Sequence, residues 1–220
     1  HPNSHAGYYP GASPIALKLL FGKEGQILGA QAVGTEGVEK RIDVIATAIK
    51  FGARADQLAA VELAYAPPYS SAKDPVNMLG YVADNVMSGK LETFQWSDIE
   101  ELKEKNAFFL DVHEDFELAT GTIEGSVQIP LNQLRDRLGE LPKDKTIYVY
   151  CQVGQRGYNA TRVLEQAGFS AKNLDGGYKT YKHAKYQLKE FYVKKEDFVD
   201  LLEDIKPNNL TQTINQEMMT

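Results

Sequence analysis

The chain contains one cysteine, Cys151, and the residues that follow it are of the types that nucleophilic chemistry needs. Cys151 opens the stretch Cys151-Gln152-Val153-Gly154-Gln155-Arg156, which comes directly after an apolar run at residues 146–150 and leads into a helix predicted to begin near Gly157. A cysteine at the carboxyl end of a strand lies where parallel sheets place ligands. Successive backbone N–H groups at a helix N-terminus form a nest that favours an anion. The sequence therefore predicts that Cys151 is a thiolate nucleophile.

Two further residues of this stretch favour the same chemistry. Arg156 adds a permanent positive charge, and Gly154 lets the backbone curl without a clash from a Cβ atom. The alternative is an inert cysteine buried in a core, which is common for this residue type. A core cysteine needs neither a glycine nor an arginine at these spacings. Residues Gln152, Val153, Gly154, Gln155 and Arg156 are therefore predicted to form an anion-binding loop around Cys151.

The composition excludes several kinds of function. A single cysteine permits neither an internal disulfide nor the multi-cysteine zinc patterns, so no metal site is predicted. The net charge is -6, and neither half of the chain has a basic stripe suited to nucleic acid, which is not predicted as a partner. No apolar run is long enough to span a bilayer, so we expect no membrane association and a cytoplasmic location. Because the chain begins without a methionine, we also expect a piece of a longer protein.

The segments around Cys151 predict alternating strands and helices. The residues Ser97-Asp98-Ile99-Glu100 have the pattern of a capping box that opens the first helix. Strands are predicted at residues 108–110, 126–129, 146–150 and 171–174, and helices at 131–138 and from about 157 to 167. This alternation favours an α/β fold in which a mainly parallel sheet is flanked by helices.

Residues 1–89 predict a separate α+β domain. Apolar stretches at 15–21 and 26–33, joined by turn residues, predict a β-hairpin. Helices are predicted from Val38 to Ile49, at 55–63 and at 75–87, with a rigid proline-containing loop at 65–71. We therefore divide the chain into two domains, residues 1–89 and 90–190. Residues 191–220 are predicted to form a C-terminal helix, whose apolar residues lie between Phe191 and Ile205, and a polar tail.

Residues 91–186 resemble the rhodanese-like domains, whose active loop follows the pattern Cys-x-x-Gly-x-Arg. The resemblance also rests on the motifs Leu110-Asp111-Val112, Gly121-x-Ile123-x-Gly125-Ser126, Ile129-Pro130-Leu131 and Leu174-Asp175-Gly176-Gly177-Tyr178. It implies a sulfurtransferase in which Cys151 accepts sulfane sulfur as a persulfide and the backbone of residues 152–156 holds it. The implied sulfur compounds are thiosulfate, polysulfide and the persulfides of coenzyme A or glutathione.

Two residues depart from the pattern of that family. His113 stands where arginine usually follows Asp-Val, and Thr122 stands where histidine usually follows the glycine. We interpret His113 as a solvated surface histidine and Asp111 as a structural hydrogen-bonding residue. Neither departure lies in the loop, so the prediction of sulfur transfer through Cys151 is kept.

Two other functions are compatible with such a loop. Cysteine-dependent phosphatases also combine a cysteine, an arginine and a cradle of N–H groups, but their loop has one residue more between Cys and Arg. The tighter ring of this chain suits a single sulfur atom better than a phosphoryl group. A second alternative is a non-catalytic docking module in a chain that mainly holds a dimer together.

Residues 1–88 resemble the dimerisation domain of the flavin-dependent pyridine nucleotide–disulfide oxidoreductases, most strongly the coenzyme A disulfide reductase branch with a fused rhodanese domain. The matching motifs lie at residues 5–11, 29–34, 40–43 and 65–77. The resemblance implies a homodimer in which Tyr65, and either Tyr8 or Tyr9, reach the partner's active site. It also implies FAD and NAD(P)H in the intact protein, bound by upstream domains. This chain has no Gly-x-Gly-x-x-Gly fingerprint, so no cofactor is predicted within it.

Overall fold

This computed structural model describes the backbone of residues 1–190 and the side chains of residues 1–185. The described part contains seven β-strands and five α-helices. Residues His1–Thr180 form one compact unit, and a second unit begins at Tyr181 within the last described helix. Among the described residues, no helix has both the length and the apolar character that membrane crossing requires. The helix predicted near residues 191–205 and the polar tail lie outside the described residues.

The first sheet is the predicted hairpin. Strand β1 (Ala16–Phe21) pairs antiparallel with β2 (Ile27–Val33), and helices α1 (Val38–Lys50) and α2 (Pro75–Met87) follow. These elements and the segment between the two helices share an apolar core of buried side chains: Ile27, Ile45, Ala55, Leu58, Val76 and Ala83. Full burial of an aliphatic side chain of the size of valine or leucine contributes roughly 1.5–3 kcal/mol. The predicted hairpin and both longer helices are confirmed.

The short helix predicted at residues 55–63 is wrong in length and type. The structure has a 3-10 turn at Asp56–Ala60. Leu58 is fully buried and anchors this turn, but Val61 adopts an extended backbone with φ -69° and ψ 123°. The extended backbone leads into the proline-containing loop, where missing N–H donors prevent a helix from continuing.

A buried ion pair joins α1 to the start of α2. Arg41 Nη2 donates to Asp74 Oδ2 at 2.9 Å, and each side chain is 2% exposed. Arg41 also donates to the carbonyl oxygens of Gly37 and Ser4. Asp74 caps α2 by accepting the N–H of Val76 at 3.0 Å. Both charges therefore have polar partners, which is the condition under which charges are buried in proteins.

The second sheet is parallel, with the strand order β3-β7-β6-β4-β5. Its strands are β3 (Thr93–Phe94), β4 (Phe108–Asp111), β5 (Val127–Gln128), β6 (Ile147–Tyr150) and β7 (Ala171–Leu174). The accompanying helices are α3 (Ile99–Glu104), α4 (Gln155–Gln166) and α5 (Gly177–Glu190). An α+β part is thus followed by an α/β part with a parallel sheet flanked by helices, which confirms the predicted fold class. Because β6 is the central strand, the residues after it lie at the middle of the sheet edge.

Residues 131–138, predicted as a helix, form consecutive turns instead. The N–H of Leu134 bonds to the carbonyl oxygen of Leu131 at 3.3 Å, and the N–H of Arg137 bonds to that of Leu134 at 3.2 Å. These bonds close steps of three residues, whereas an α-helix closes steps of four. Leu134 is fully buried, and Leu131 and Leu138 pack against the same core. Both kinds of backbone bring these leucines inward, so the apolar spacing alone could not distinguish them.

The starts of three helices also differ from expectation. The capping box predicted at residues 97–100 is absent, because α3 has no side-chain cap; instead Asp98 Oδ2 accepts the N–H of Gln95 at 2.8 Å. Helix α4 begins at Gln155, two residues before its predicted start. Helix α5 was not predicted, and it begins at Gly177 with a positive φ of 64°.

Two hydrogen bonds join α4 to the segment at the end of α2. Tyr158 donates from its hydroxyl to Asn85 Oδ1 at 3.4 Å. Arg162 Nη1 donates to the carbonyl oxygen of Lys90 at 2.9 Å. The helix that follows Cys151 is therefore fixed at two points to residues that precede the parallel sheet.

We expect Asp74→Asn to destabilise the protein strongly, because Arg41 would keep a buried positive charge without its counter-charge. Removing one partner of a buried pair costs about 3–5 kcal/mol, which urea unfolding followed by circular dichroism would measure. The control is Asp84→Asn, which removes the exposed partner of Lys90 at 3.6 Å and should cost less than about 1 kcal/mol. Equal losses in the two variants would contradict a special role for the buried pair.

Candidate active site

Cys151 follows β6 directly and lies at the carboxyl edge of the parallel sheet. The residue is 1% exposed. Its Sγ atom accepts the backbone N–H of Gly154 at 3.3 Å and that of Gly157 at 3.4 Å. Gly157 belongs to the first turn of α4, so the sulfur lies at a helix N-terminus, where the field favours negative charge. The geometry suits an anionic sulfur.

The curl of the loop depends on Gly154. Its φ of 98° is in the left-handed region, which a residue with a Cβ atom adopts only under strain. Its carbonyl oxygen accepts the side-chain N–H of Asn173, on β7, at 3.0 Å. The neighbouring strand thus fixes the residue whose N–H bonds to the sulfur, and the glycine has the role that the sequence predicted.

Gly177 supports the loop from the other side. A Cβ atom placed on this residue would lie 2.5 Å from the carbonyl oxygen of Cys151 and 2.7 Å from the backbone nitrogens of Val153 and Gly154. The next N–H, that of Tyr178, donates to the same Cys151 oxygen at 2.8 Å. The first residues of α5 are therefore in close backbone contact with the cysteine loop, and a glycine is required there.

Arg156 is held by a carboxylate that sequence reasoning missed. Its Nη2 atom donates to Glu117 Oε1 at 2.7 Å, and its Nη1 atom donates to Oε2. The side chains are 29% and 19% exposed. The hydrogen bonds from Arg156 lower the pKa of Glu117 to about 2. The pKa of Arg156 is raised, first by its hydrogen bond to Glu117 and further by the nearby Cys151. The hydrogen-bonded partner of the arginine in the structure is therefore the carboxylate of Glu117.

His113 is fully buried, so the prediction of a solvated surface histidine is wrong. Its Nδ1 atom lies 2.6 Å from Asp111 Oδ1, at ion-pair distance but without hydrogen-bond alignment. Its Nε2 atom is 3.2 Å from Gln152 Oε1, in the cysteine loop. The rings of Tyr150 and Tyr178 meet the imidazole edge-on. Asp111 accepts the backbone N–H of His113 at 2.9 Å, in agreement with its predicted hydrogen-bonding role.

The hydroxyl of Tyr150 fixes the turn before β5. It lies 2.6 Å from the Ser126 hydroxyl and accepts the backbone N–H of Ile123 at 3.0 Å. Burial raises the pKa of Tyr150 well above its usual value. The residue before the cysteine thus stays neutral and holds the glycine-containing motif at residues 121–126.

The structure brings only part of the predicted loop to the sulfur. Gly154 bonds to Sγ, Gln152 faces His113, and Arg156 faces Glu117, whereas Gln155 is exposed to solvent. Val153 contributes its backbone to the contact with Gly177. Gly157, one residue beyond the predicted loop, supplies the second N–H to the sulfur. Its position at the start of a predicted helix could have identified it, because N–H groups at a helix N-terminus are free to bind an anion. No metal-binding cluster of three His, Cys, Asp or Glu side chains occurs within the described residues.

A second cluster contains the predicted tyrosines. The hydroxyls of Tyr8 and Tyr65 are 3.1 Å apart, and this hydrogen bond raises the pKa of Tyr65. Tyr9 packs edge-on against His5 instead. Of the two tyrosines that the sequence left open, Tyr8 is the one that the structure pairs with Tyr65.

Comparison with known protein families identifies both parts. Residues 1–75 match the pyridine nucleotide-disulphide oxidoreductase dimerisation domain, and residues 96–184 match the rhodanese-like domain. Over 81 residues the chain is 49% identical to the coenzyme A disulfide reductase of Staphylococcus epidermidis and 52% identical to that of Staphylococcus aureus. Each match covers 36% of this chain and 18% of the relative, so the matched part is a small fraction of those reductases.

Two solved structures resemble a larger part of the chain. The reduced CoADR-RHD of Bacillus anthracis is 53% identical, with a TM-score of 0.83 over 84% of this chain and 34% of that one. The NAD-dependent persulfide reductase of A. fulgidus is 44% identical, with a TM-score of 0.73 over 81% of this chain and 32% of that one. The chain therefore combines, in this order, a segment that matches the pyridine nucleotide-disulphide oxidoreductase dimerisation domain and a segment that matches the rhodanese-like domain.

Proposed function

We propose that the rhodanese-like part is a sulfurtransferase in which Cys151 carries sulfane sulfur as a persulfide. The observation that carries this proposal is the pair of N–H groups, from Gly154 and Gly157, that face the buried Sγ atom at 3.3 and 3.4 Å. N–H groups fixed in this way stabilise an anion before the reaction begins, without reorganisation during it. A core cysteine with no chemical role has no use for such an arrangement.

The transfer consists of two thiol–disulfide-like steps. In the first, the Cys151 thiolate attacks the outer sulfur of a donor R–S–SH, the S–S bond of the donor breaks, and R–S⁻ leaves and takes up the donor's proton. Cys151 is left as the anion Cys–S–S⁻. In the second, an acceptor thiolate attacks the outer sulfur of this persulfide and restores the Cys151 thiolate. No external oxidant or reductant is needed, because the sulfane sulfur only changes its carrier.

For the intact protein we propose an NAD(P)H- and FAD-dependent reductase of coenzyme A disulfide, coenzyme A persulfide or polysulfide. The names of the relatives support this, but the residues of this chain do not fit a flavin or nicotinamide dinucleotide. None of the described strands leads into a Gly-x-Gly-x-x-Gly loop. The cofactors would therefore bind to upstream domains, and the sulfur-transfer domain would comprise about residues 90–190.

We further propose a homodimer in which the dimerisation domain presents Tyr8 and Tyr65 to the partner's reductase site. The hydrogen bond between the two hydroxyls supports a shared role, and Tyr9 has no part in it. A cytoplasmic location belongs to the same proposal, because reactive free thiols persist where glutathione and thioredoxin keep them reduced.

The test of sulfur transfer compares the reduced chain with Cys151→Ser after incubation with thiosulfate or glutathione persulfide. We expect the unaltered chain alone to gain the mass of one sulfur atom and to lose it when excess thiol is added. One thiol molecule takes the sulfur as its own persulfide, and a second reduces that persulfide to sulfide with formation of a disulfide. Intact-mass spectrometry and a sulfide assay measure the two steps. Hydrolysis of an aryl phosphate without sulfur uptake would favour a phosphatase, and no reaction of either kind would favour a docking module.

We expect Gly177→Ala to reduce the rate of sulfur transfer about a hundredfold while Cys151 remains in place. The added Cβ would displace the loop backbone, and a misplacement of about 1 Å costs on the order of 100-fold in rate. The matched control is Gly168→Ala, which also changes a glycine of positive φ (83°) but has no atom within 4 Å of the new Cβ. Its cost should be limited to stability, about 1 kcal/mol. Equal transfer rates for the two variants would show that close contact at residue 177 is dispensable.

A further inference from the structure

The carboxylate of Glu117 accepts a hydrogen bond from each of the two terminal nitrogens of Arg156. Both guanidinium nitrogens that bond to it do so in the paired geometry typical of arginine with carboxylates. The backbone N–H of Glu114 donates to the same carboxylate at 3.0 Å. Three N–H groups therefore hold the carboxylate of Glu117 in place. Two of them belong to Arg156, the cation of the loop that could attract an anionic sulfur compound.

The ion pair changes the charge that a sulfur donor meets. Glu117 stays ionised at all physiological pH values, because Arg156 lowers its pKa to about 2. The carboxylate thus balances the charge of the guanidinium, and the nearby His113 lies 2.6 Å from a carboxylate oxygen of Asp111. Arg156 therefore presents no uncompensated positive charge to an incoming sulfur donor. A substrate that used Arg156 as its anion receptor would have to displace a fixed internal carboxylate.

We infer that Glu117 is a specificity-determining residue, which withholds Arg156 from small dianions and so favours a thiol-borne persulfide over thiosulfate as the sulfur donor. This inference rests on the proposed function and names the donor class for the same site. A persulfide R–S–SH transfers its outer sulfur to Cys151 and leaves as R–SH. Thiosulfate transfers the same sulfur and leaves as sulfite, so a dianion must stand next to Glu117 both before and after the S–S bond breaks. The repulsion therefore acts along the whole reaction with thiosulfate.

The test measures second-order rate constants for loading sulfur onto Cys151 in the reduced full chain, by rapid mixing and intact-mass spectrometry. Thiosulfate is the dianionic probe, and N-acetylcysteamine persulfide is the probe with an uncharged tail. We expect Glu117→Gln to raise the ratio of the thiosulfate rate to the persulfide rate at least tenfold, equivalent to about 1.4 kcal/mol. The control Glu124→Gln removes the same charge from an exposed residue of a neighbouring loop and should leave the ratio at its original value.

A second variant assigns the gain to the freed arginine. In Glu117→Gln combined with Arg156→Gln, the ratio should fall back to near that of the unaltered chain, because no cation is left to attract thiosulfate. An unchanged ratio in Glu117→Gln would overturn the inference, and so would equal losses with both donors, which would mean that the ion pair only holds the loop together. Failure of the unaltered chain to load sulfur from either donor would instead refute the proposed function itself.

Discussion

A sulfur atom that is removed from water can carry a negative charge only if fixed N–H groups replace the lost solvation. Cys151 is 1% exposed, and two backbone N–H groups meet its Sγ atom. Backbone donors can converge on one atom only where the chain turns sharply, which here requires a left-handed residue between a strand and a helix. The parallel sheet provides this setting, because its central strand ends directly below the N-terminus of α4.

The surroundings of the loop hold it from three sides. β7 contributes Asn173, which bonds to the carbonyl oxygen of Gly154. The start of α5 brings Gly177 against the loop backbone. The segment after β4 contacts both ends of the loop, through His113 at Gln152 and through Glu117 at Arg156. Together these contacts hold both the backbone and side chains of the loop, so the loop is formed before any substrate binds.

Local patterns in the sequence were sufficient for the parts of the fold that depend on local physics. The hairpin, α1, α2 and strands β4 to β7 follow from apolar periodicity and turn residues, and the glycine of the loop follows from its spacing to Cys151. The two-residue strand β3 was not predicted. Burial of His113 could not be predicted, because it depends on the packing of Tyr150 and Tyr178 around the ring. The ion pair of Arg156 joins residues far apart in the chain, and no local pattern reveals such a partner.

The bonds from α4 to Asn85 and Lys90 cross the point at which the sequence pattern restarts. A shorter protein that began after residue 90 would leave the Tyr158 hydroxyl and the Arg162 guanidinium without these partners, on the very helix whose first turn faces the sulfur. Asn85 and Lys90 lie between the segments that match the two families, residues 1–75 and 96–184, and their hydrogen bonds support the helix that follows the cysteine loop. The stability of that helix therefore depends on the chain upstream of residue 90 as well as on the parallel sheet.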